Sequence, residues 1–79
     1  MSANSHVLLI DCADRKGIVH QVTGVLFRLG LNIEEQGEFV DHLNQHFFLR
    51  TAISGEVEAE SLLAEIRQVI SADAAVRIE

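Results

Sequence analysis

The sequence predicts an α+β fold whose elements follow the order βαββαβ. Four segments show the alternation or the short apolar runs of β-strands, and two segments between them show helical spacing. Glycine or polar turns separate the segments. The chain has 79 residues, of which 48% are hydrophobic, so it makes one domain with one core and leaves apolar surface for an interface.

The first strand and the first helix are the clearest elements. Residues His6 to Cys12 are apolar on both faces, which predicts a central strand. The period then becomes helical from Gly17 to Leu29. Asp14 is the predicted N-cap of this helix and Gly30 its predicted C′ residue. The apolar stripe consists of Ile18, Val22, Val25 and Leu29, flanked by Val19 and Leu26.

The second and third strands differ in polarity. The segment from Leu31 to Val40 alternates apolar and polar residues and is rich in glutamate, which predicts a half-solvated edge strand. A polar turn over 41–45 follows. The strand from His46 to Ser54 has Phe47, Leu49 and Ile53 on one face and Phe48 and Ala52 on the other, which predicts a central position.

A second helix and a short last strand complete the chain. The helix has an apolar stripe of Leu62, Leu63, Ile66, Val69 and Ile70, a loop follows over 71–74, and the strand spans Val76 to Glu79. The whole order is that of a ferredoxin-like sandwich, a four-stranded antiparallel sheet of order 4-1-3-2 with two helices on one face. We expect Phe27, Phe39 and Phe47 in the core and Phe48 against a partner on the open face.

Composition limits the possible partners. The net charge is −6 with six basic residues, which argues against nucleic acid and anionic membranes as ligands. No apolar run approaches the roughly 20 residues that span a bilayer. The single cysteine, Cys12, excludes an intrachain disulfide framework and suggests a reduced, cytoplasmic protein.

The segment Asp14-Arg15-Lys16-Gly17 is the best candidate for a site. It precedes a helix, where free backbone N–H groups and the helix dipole favour an anionic group. Gly17 allows a ligand to approach the backbone closely, and Asp14 offers a carboxylate to an ammonium. Asn32 follows the same helix and is expected to return to the mouth of this loop.

Two blocks of sequence resemble a known family. The stretch from Asp14 to Val22, with Leu31-Asn32-Ile33 after the helix, resembles the ACT domain, a regulatory module that binds amino acids. The blocks 38–42 (Glu-Phe-Val-Asp-His) and 47–51 (Phe-Phe-Leu-Arg-Thr) are similar to the N-terminal ACT domain of formyltetrahydrofolate deformylases. Those enzymes hydrolyse 10-formyltetrahydrofolate to formate and tetrahydrofolate and supply one-carbon and purine metabolism.

The resemblance implies regulation without catalysis. The catalytic residues of those enzymes belong to a C-terminal formyltransferase-like domain, which lies outside residues 1–79, so this single ACT domain is expected to contain no catalytic residue, metal or cofactor. The expected ligand is a small amino acid, with glycine, serine and methionine as candidates, and the expected assembly is a homodimer. The family pattern assigns binding to Asp14, Arg15, Lys16, Gly17, Ile18 and Asn32, the last often across a dimer interface.

Several alternatives stay open from the sequence. The domain could be a ligand-free dimerisation module, or a stand-alone ACT protein rather than a piece cut from a deformylase. Residues 21–28 mimic the phosphate loop of an acylphosphatase, although they also continue the helix. An RNA-binding sheet face around Phe48 and Arg50 conflicts with the acidic charge. His42 and His46 are more consistent with solvated turn residues than with metal ligands, and no role follows for His20.

Overall fold

The computed structural model describes residues 5–70 and 73–79 and confirms the βαββαβ order. The residues 71 and 72 of the predicted loop lie outside this range. The elements are β1 (Ser5–Ala13), α1 (Ile18–Arg28), β2 (Asn32–Asp41), β3 (His46–Ser54), α2 (Ala59–Val69) and β4 (Ala75–Ile78).

The four strands form one antiparallel sheet in the predicted order, β2-β3-β1-β4. The central pair aligns Ser5 of β1 with Ser54 of β3 at one end and Ala13 with His46 at the other. Strand β2 lies at one edge, as its glutamates predicted, and nearly all of it is exposed.

The core lies between the sheet and the two helices. It contains the inward residues of β1 and β3, among them Leu8, Cys12 and Phe47, and the apolar stripes of α1 and α2. Because side chains alternate along a strand, Leu9 and Phe48 lie on the open face of the sheet. The expected core position of Phe47 and the expected open-face position of Phe48 are therefore confirmed, while packing of Phe48 against a partner stays a prediction.

The two ends of α1 are capped by glycines. Gly17, not Asp14, is the N-cap, and it has a left-handed backbone (φ 86°) with no side-chain cap. The predicted capping role of Asp14 is wrong because Asp14 still continues the pairing of β1. Its backbone N–H donates to the Gln45 carbonyl at 2.8 Å, and the chain needs three more residues before the helix can begin. Gly30 is the predicted C′ residue: its N–H bonds Phe27 O, and that of Leu31 bonds Leu26 O, a Schellman motif.

Two phenylalanines expected in the core are on the surface. A β-bulge between Ile33 and Glu35 inserts one residue into β2 and reverses the alternation beyond it. Phe39 consequently pairs with Phe48 on the open face and is 64% exposed. Phe27 is 85% exposed because the buried positions of α1 cluster on the opposite side of the helix.

Candidate functional site

The loop between β1 and α1 presents an open surface at the start of the helix. Residues 14–17 are exposed, whereas Ile18 is buried and anchors the first turn. A Cβ atom built on Gly17 would meet nothing within 4 Å, so a ligand can reach the backbone there. The first N–H groups of a helix have no intrahelical partner, and no side chain caps them in α1. The loop therefore offers hydrogen-bond donors to an anionic group.

Arg15 contributes to the fold as well as to this loop. Its guanidinium donates to the Gln21 side-chain oxygen at 2.9 Å and to the carbonyl of Val69, the last residue of α2, at 3.2 Å. The second bond satisfies a carbonyl that has no partner within the helix and places positive charge at the negative end of the α2 dipole. Arg15 thus joins the loop to the end of α2.

The structure does not bring Asn32 to the loop within one chain. Asn32 pairs with Ser54, at the end of the sheet where β1 begins, whereas the loop follows the last residue of β1. The two sites are separated by the length of β1, about 25 Å at the usual rise per residue. The expected return to the loop mouth is wrong because α1 carries the chain away and β2 starts where the helix ends.

The side chain of Asn32 is held locally by Glu34. Its amide donates to the Glu34 carboxylate, which also accepts a 2.7 Å hydrogen bond from the Ser54 hydroxyl. These two bonds, the one from Ser54 first, lower the pKa of Glu34. A ligand group that accepts a hydrogen bond from the Asn32 amide N–H must therefore compete with the Glu34 carboxylate, whereas a donor can approach the side-chain carbonyl oxygen.

A groove of about 480 Å³ runs beside Asn32, between α1 and the edge strand. His20 and Phe27 border it from the helix, and Ile33 borders it from β2. Gly24 leaves an open notch in the middle, since a Cβ there would also meet nothing within 4 Å. The groove adjoins an unpaired strand edge, a combination that suits a protein interface.

Cys12 and the histidines provide no second centre in the described part of the chain. Cys12 is 1% exposed, and burial raises the pKa of its thiol despite the opposing effect of Arg15, so the thiolate is disfavoured. His46 contacts Asp11 at 3.0 Å rather than His42. No group of three metal-ligating side chains occurs among residues 5–70 and 73–79.

Two rival interpretations meet structural objections. Residues 21–28, which mimic an acylphosphatase phosphate loop, are helical throughout and contribute Val22, Val25 and Leu26 to the core. Phe48 and Arg50 do lie on the exposed face that an RNA-binding sheet would use, but the acidic balance of the chain opposes that function. Across the described ranges, no helix is both long and apolar enough to traverse a bilayer.

The family model and the sequence relatives that match this chain agree with each other. The model of the ACT domain matches residues 6–71. Formyltetrahydrofolate deformylase of Haemophilus influenzae is 38% identical over 61 residues, 77% of this chain and 22% of that protein. The enzyme of the same name from Corynebacterium sp. strain P-1 is 39% identical over 70 residues, 89% of this chain and 24% of that protein.

Solved structures agree with the sequence relatives. A formyltetrahydrofolate deformylase from Burkholderia mallei superimposes with a TM-score of 0.82 at 25% identity, over 96% of this chain and 28% of that one. An ACT domain protein from Streptococcus pneumoniae shares the fold with a TM-score of 0.75 at 23% identity, over 99% of this chain and 90% of that one. The chain thus spans about a quarter of the length of the deformylases it matches.

Proposed function

Because this chain belongs to the ACT domain family, we propose that it binds a small amino acid at an interface between two copies of itself. The loop over 14–18 of one copy and Asn32 of the other form the site. The domain regulates a cytoplasmic formyltetrahydrofolate deformylase and has no catalytic residues of its own. Glycine, serine and methionine are the candidate ligands, since they border one-carbon metabolism.

The separation of the loop from Asn32 is the observation that carries this proposal. The loop lies at the N-terminal end of α1 and Asn32 beyond its C-terminal end. Two α1 helices that pack antiparallel about a two-fold axis place each loop beside Asn32 of the partner subunit. The groove beside α1, with exposed Phe27 and Ile33 and the notch at Gly24, supplies the apolar surface for this contact.

The chemistry of the shared site suits a zwitterion. The backbone N–H groups at the start of α1 bind the carboxylate, assisted by the helix dipole. The Asp14 carboxylate and the carbonyl oxygen of the partner subunit's Asn32 accept hydrogen bonds from the ammonium. The open space at Gly17 accommodates the ligand between them.

Thermal unfolding with each amino acid tests ligand binding. A ligand that binds only the native state adds RT ln(1 + [L]/Kd), or about 2.7 kcal/mol at a hundredfold excess over Kd. We expect Gly17→Asn and Asn32→Ala each to abolish the rise in Tm. Asparagine is the substitution of choice at Gly17 because it tolerates the left-handed backbone that valine would strain.

Mixing the two variants tests whether the site is shared. In a heterodimer of Gly17→Asn with Asn32→Ala, one site has both defects and the other has neither. Ligand binding at half the wild-type stoichiometry is therefore expected in the isolated heterodimer, and at about a quarter in an equal mixture that re-equilibrates, but in neither variant alone. Absence of restored binding in verified heterodimers would place the whole site within one chain.

The interface has its own test and a matched control. Gly24→Leu fills the notch, where a Cβ atom meets nothing within 4 Å inside the chain, and should convert the dimer to a monomer in sedimentation velocity. Ala64→Leu makes a similar change at an exposed position of α2 and should leave the dimer intact. A Gly24→Leu protein that remains dimeric would exclude this groove as the interface.

A ligand-free dimerisation module is the second candidate. Two contacts favour it, because they occupy side chains that a ligand would use: Arg15 binds the carbonyl at the end of α2, and the Asn32 amide binds Glu34. This function predicts that Gly24→Leu dissociates the dimer while no amino acid raises the Tm at millimolar concentration. Sequencing the coding DNA past residue 79 tests the further proposal that a formyltransferase-like domain follows.

A further inference from the structure

The face of the sheet that no helix covers carries a broad depression of about 880 Å³. It extends from Gly37 and Phe39 on β2, across β3 and β1, to Arg77 on β4. This volume is within the range of small-molecule sites, about 300–1,000 Å³. Most of its lining lies on the side of the sheet away from the helices, Arg67 of α2 also borders it, and residues 14–18 do not, so it is distinct from the loop before α1.

The depression is lined by half of the basic residues of an acidic protein, together with Asp11 and Glu38. Three of the six basic residues of the chain line it, namely Arg50, Arg67 and Arg77, although the net charge is −6. Arg50 and Arg77 pair with the same residue, Leu9, and therefore occupy one row across the sheet. Two strand spacings separate them, about 10 Å between Cα atoms. The row thus presents two guanidinium groups with an apolar side chain between them.

Both arginines of this row can accept an external anion. The Arg50 guanidinium is 4.0 Å from the Glu35 carboxylate, and that of Arg77 is 3.5 Å from Glu79, while their side chains are 54% and 73% exposed. Exposed ion pairs of this length contribute little energy and exchange readily with other anions. A guanidinium matches a carboxylate with two parallel hydrogen bonds.

An aromatic pair forms the neighbouring row. Phe48 and Phe39 face each other across β3 and β2 with ring centroids 6.0 Å apart, and they are 41% and 64% exposed. Gly37 lies beside Phe39 in the arginine row, where a Cβ would meet nothing within 4 Å. Because Gly37 has no side chain, the surface of the sheet is recessed next to the phenylalanine rings, so a flat group can pack against the rings. At the end of the aromatic row, Asp11 is engaged with His46 at 3.0 Å.

We propose that this depression binds an elongated aromatic molecule bearing two carboxylates. The rings pack over Leu9 and against Phe48 while the carboxylates pair with Arg50 and Arg77. Aromatic rings stack favourably in offset or tilted arrangements, and charge-assisted hydrogen bonds to arginine fix the orientation. Nucleic acid, which needs an extended basic surface, is disfavoured by the net charge of −6.

Titration of the protein with biphenyl-4,4′-dicarboxylate tests the proposal. Binding is monitored by calorimetry and by backbone amide NMR. The comparators are biphenyl-4-carboxylate, which lacks one charge, and suberate, which lacks the rings. We expect the aromatic dicarboxylate to bind about tenfold more tightly than either, with amide shifts at residues 9, 37, 48, 50 and 77. Absence of binding at millimolar concentration, or shifts confined to residues 14–18, would overturn the proposal.

Single substitutions locate the contacts. Arg50→Gln and Arg77→Gln should each weaken binding of the probe about tenfold or more, since each removes a charge-assisted pair. Arg28→Gln is the matched control, because Arg28 is an exposed arginine that pairs with Glu65 on the helical side, and it should leave affinity unchanged. Equal affinity in all three variants would refute the assignment. So would tighter binding of an unstructured acidic peptide containing phenylalanine, which would indicate a protein partner instead.

Discussion

The two faces of the sheet are built from the same strands but have opposite properties. On β1, Leu8 is fully buried under the helices, whereas its neighbour Leu9 is half-buried on the open face between two arginines. On β3, the inward Leu49 packs in the core while Phe48 and Arg50 are exposed. The helical face therefore supplies the stability of the domain, and the open face and the exposed edge strand β2 (Asn32–Asp41) are available for recognition.

Paired leucine substitutions give the largest expected effect and test this division directly. Leu8→Ala removes a side chain with 0% exposure and should lower the free energy of unfolding by about 3 kcal/mol. Leu9→Ala should lower it by about 1 kcal/mol or less, because water already reaches that side chain. Urea unfolding of both variants measures the difference. Similar losses would mean that the open face is covered, as in a tightly packed dimer, and that the two faces are not functionally separate.

A polar residue on the helical face provides an effect of intermediate size. Thr51 is 0% exposed, and its hydroxyl has no hydrogen-bond partner among the described residues. Thr51→Val keeps the shape and removes the unsatisfied hydroxyl, so it should raise the free energy of unfolding by about 1 kcal/mol. The control Thr51→Ser keeps the hydroxyl, loses a methyl group and should be destabilised. A loss of stability in Thr51→Val would indicate a buried water that bonds the hydroxyl.

The sequence was sufficient for the fold because local signals and topology agreed. The strand and helix periods, the glycine after α1 and the two-faced apolar character of β1 and β3 together predicted the correct sheet order. It was insufficient for β2, where one inserted residue at the bulge moved Phe39 from the expected core to the open face. Nothing in the alternating pattern of residues 31–40 marks that insertion.

The sequence predicted the individual residues of the candidate site but not their arrangement in space. The loop was recognised from its charged residues and Gly17, which the structure confirms as an exposed turn before a helix. Its distance from Asn32 depends on the path of α1 and the register of β2, which sequence spacing does not fix. The arginine row was missed for a similar reason: Arg50 and Arg77 are remote in sequence, and only their pairing with Leu9 brings them together. The arginine at an outward position of each of two predicted strands, Arg50 and Arg77, is the signal that could have suggested it.

The smallest predicted effect concerns the edge strand β2, where the Glu34 carboxylate accepts hydrogen bonds from both Asn32 and Ser54. The folded-state pKa of Glu34 is below its ordinary value of 4.5 because the Ser54 hydroxyl and then the Asn32 amide donate to the carboxylate. A depressed carboxyl pKa adds stability above the pKa of the unfolded chain, and that stability is lost as pH falls through the lower folded-state pKa.

Carboxyl NMR titration between about pH 2 and pH 6 measures this pKa directly. Ser54→Ala removes the hydrogen bond that contributes more to the lowered pKa of Glu34, so this pKa should rise toward 4.5. The loss of folding stability on acidification should become smaller as a result. Asn32→Ala should produce the same change to a smaller degree. If Ser54→Ala leaves the Glu34 pKa unaltered, the Ser54 hydroxyl does not hold the carboxylate in solution, and an equally unaltered pKa in Asn32→Ala would mean that the Asn32 amide is free for a ligand.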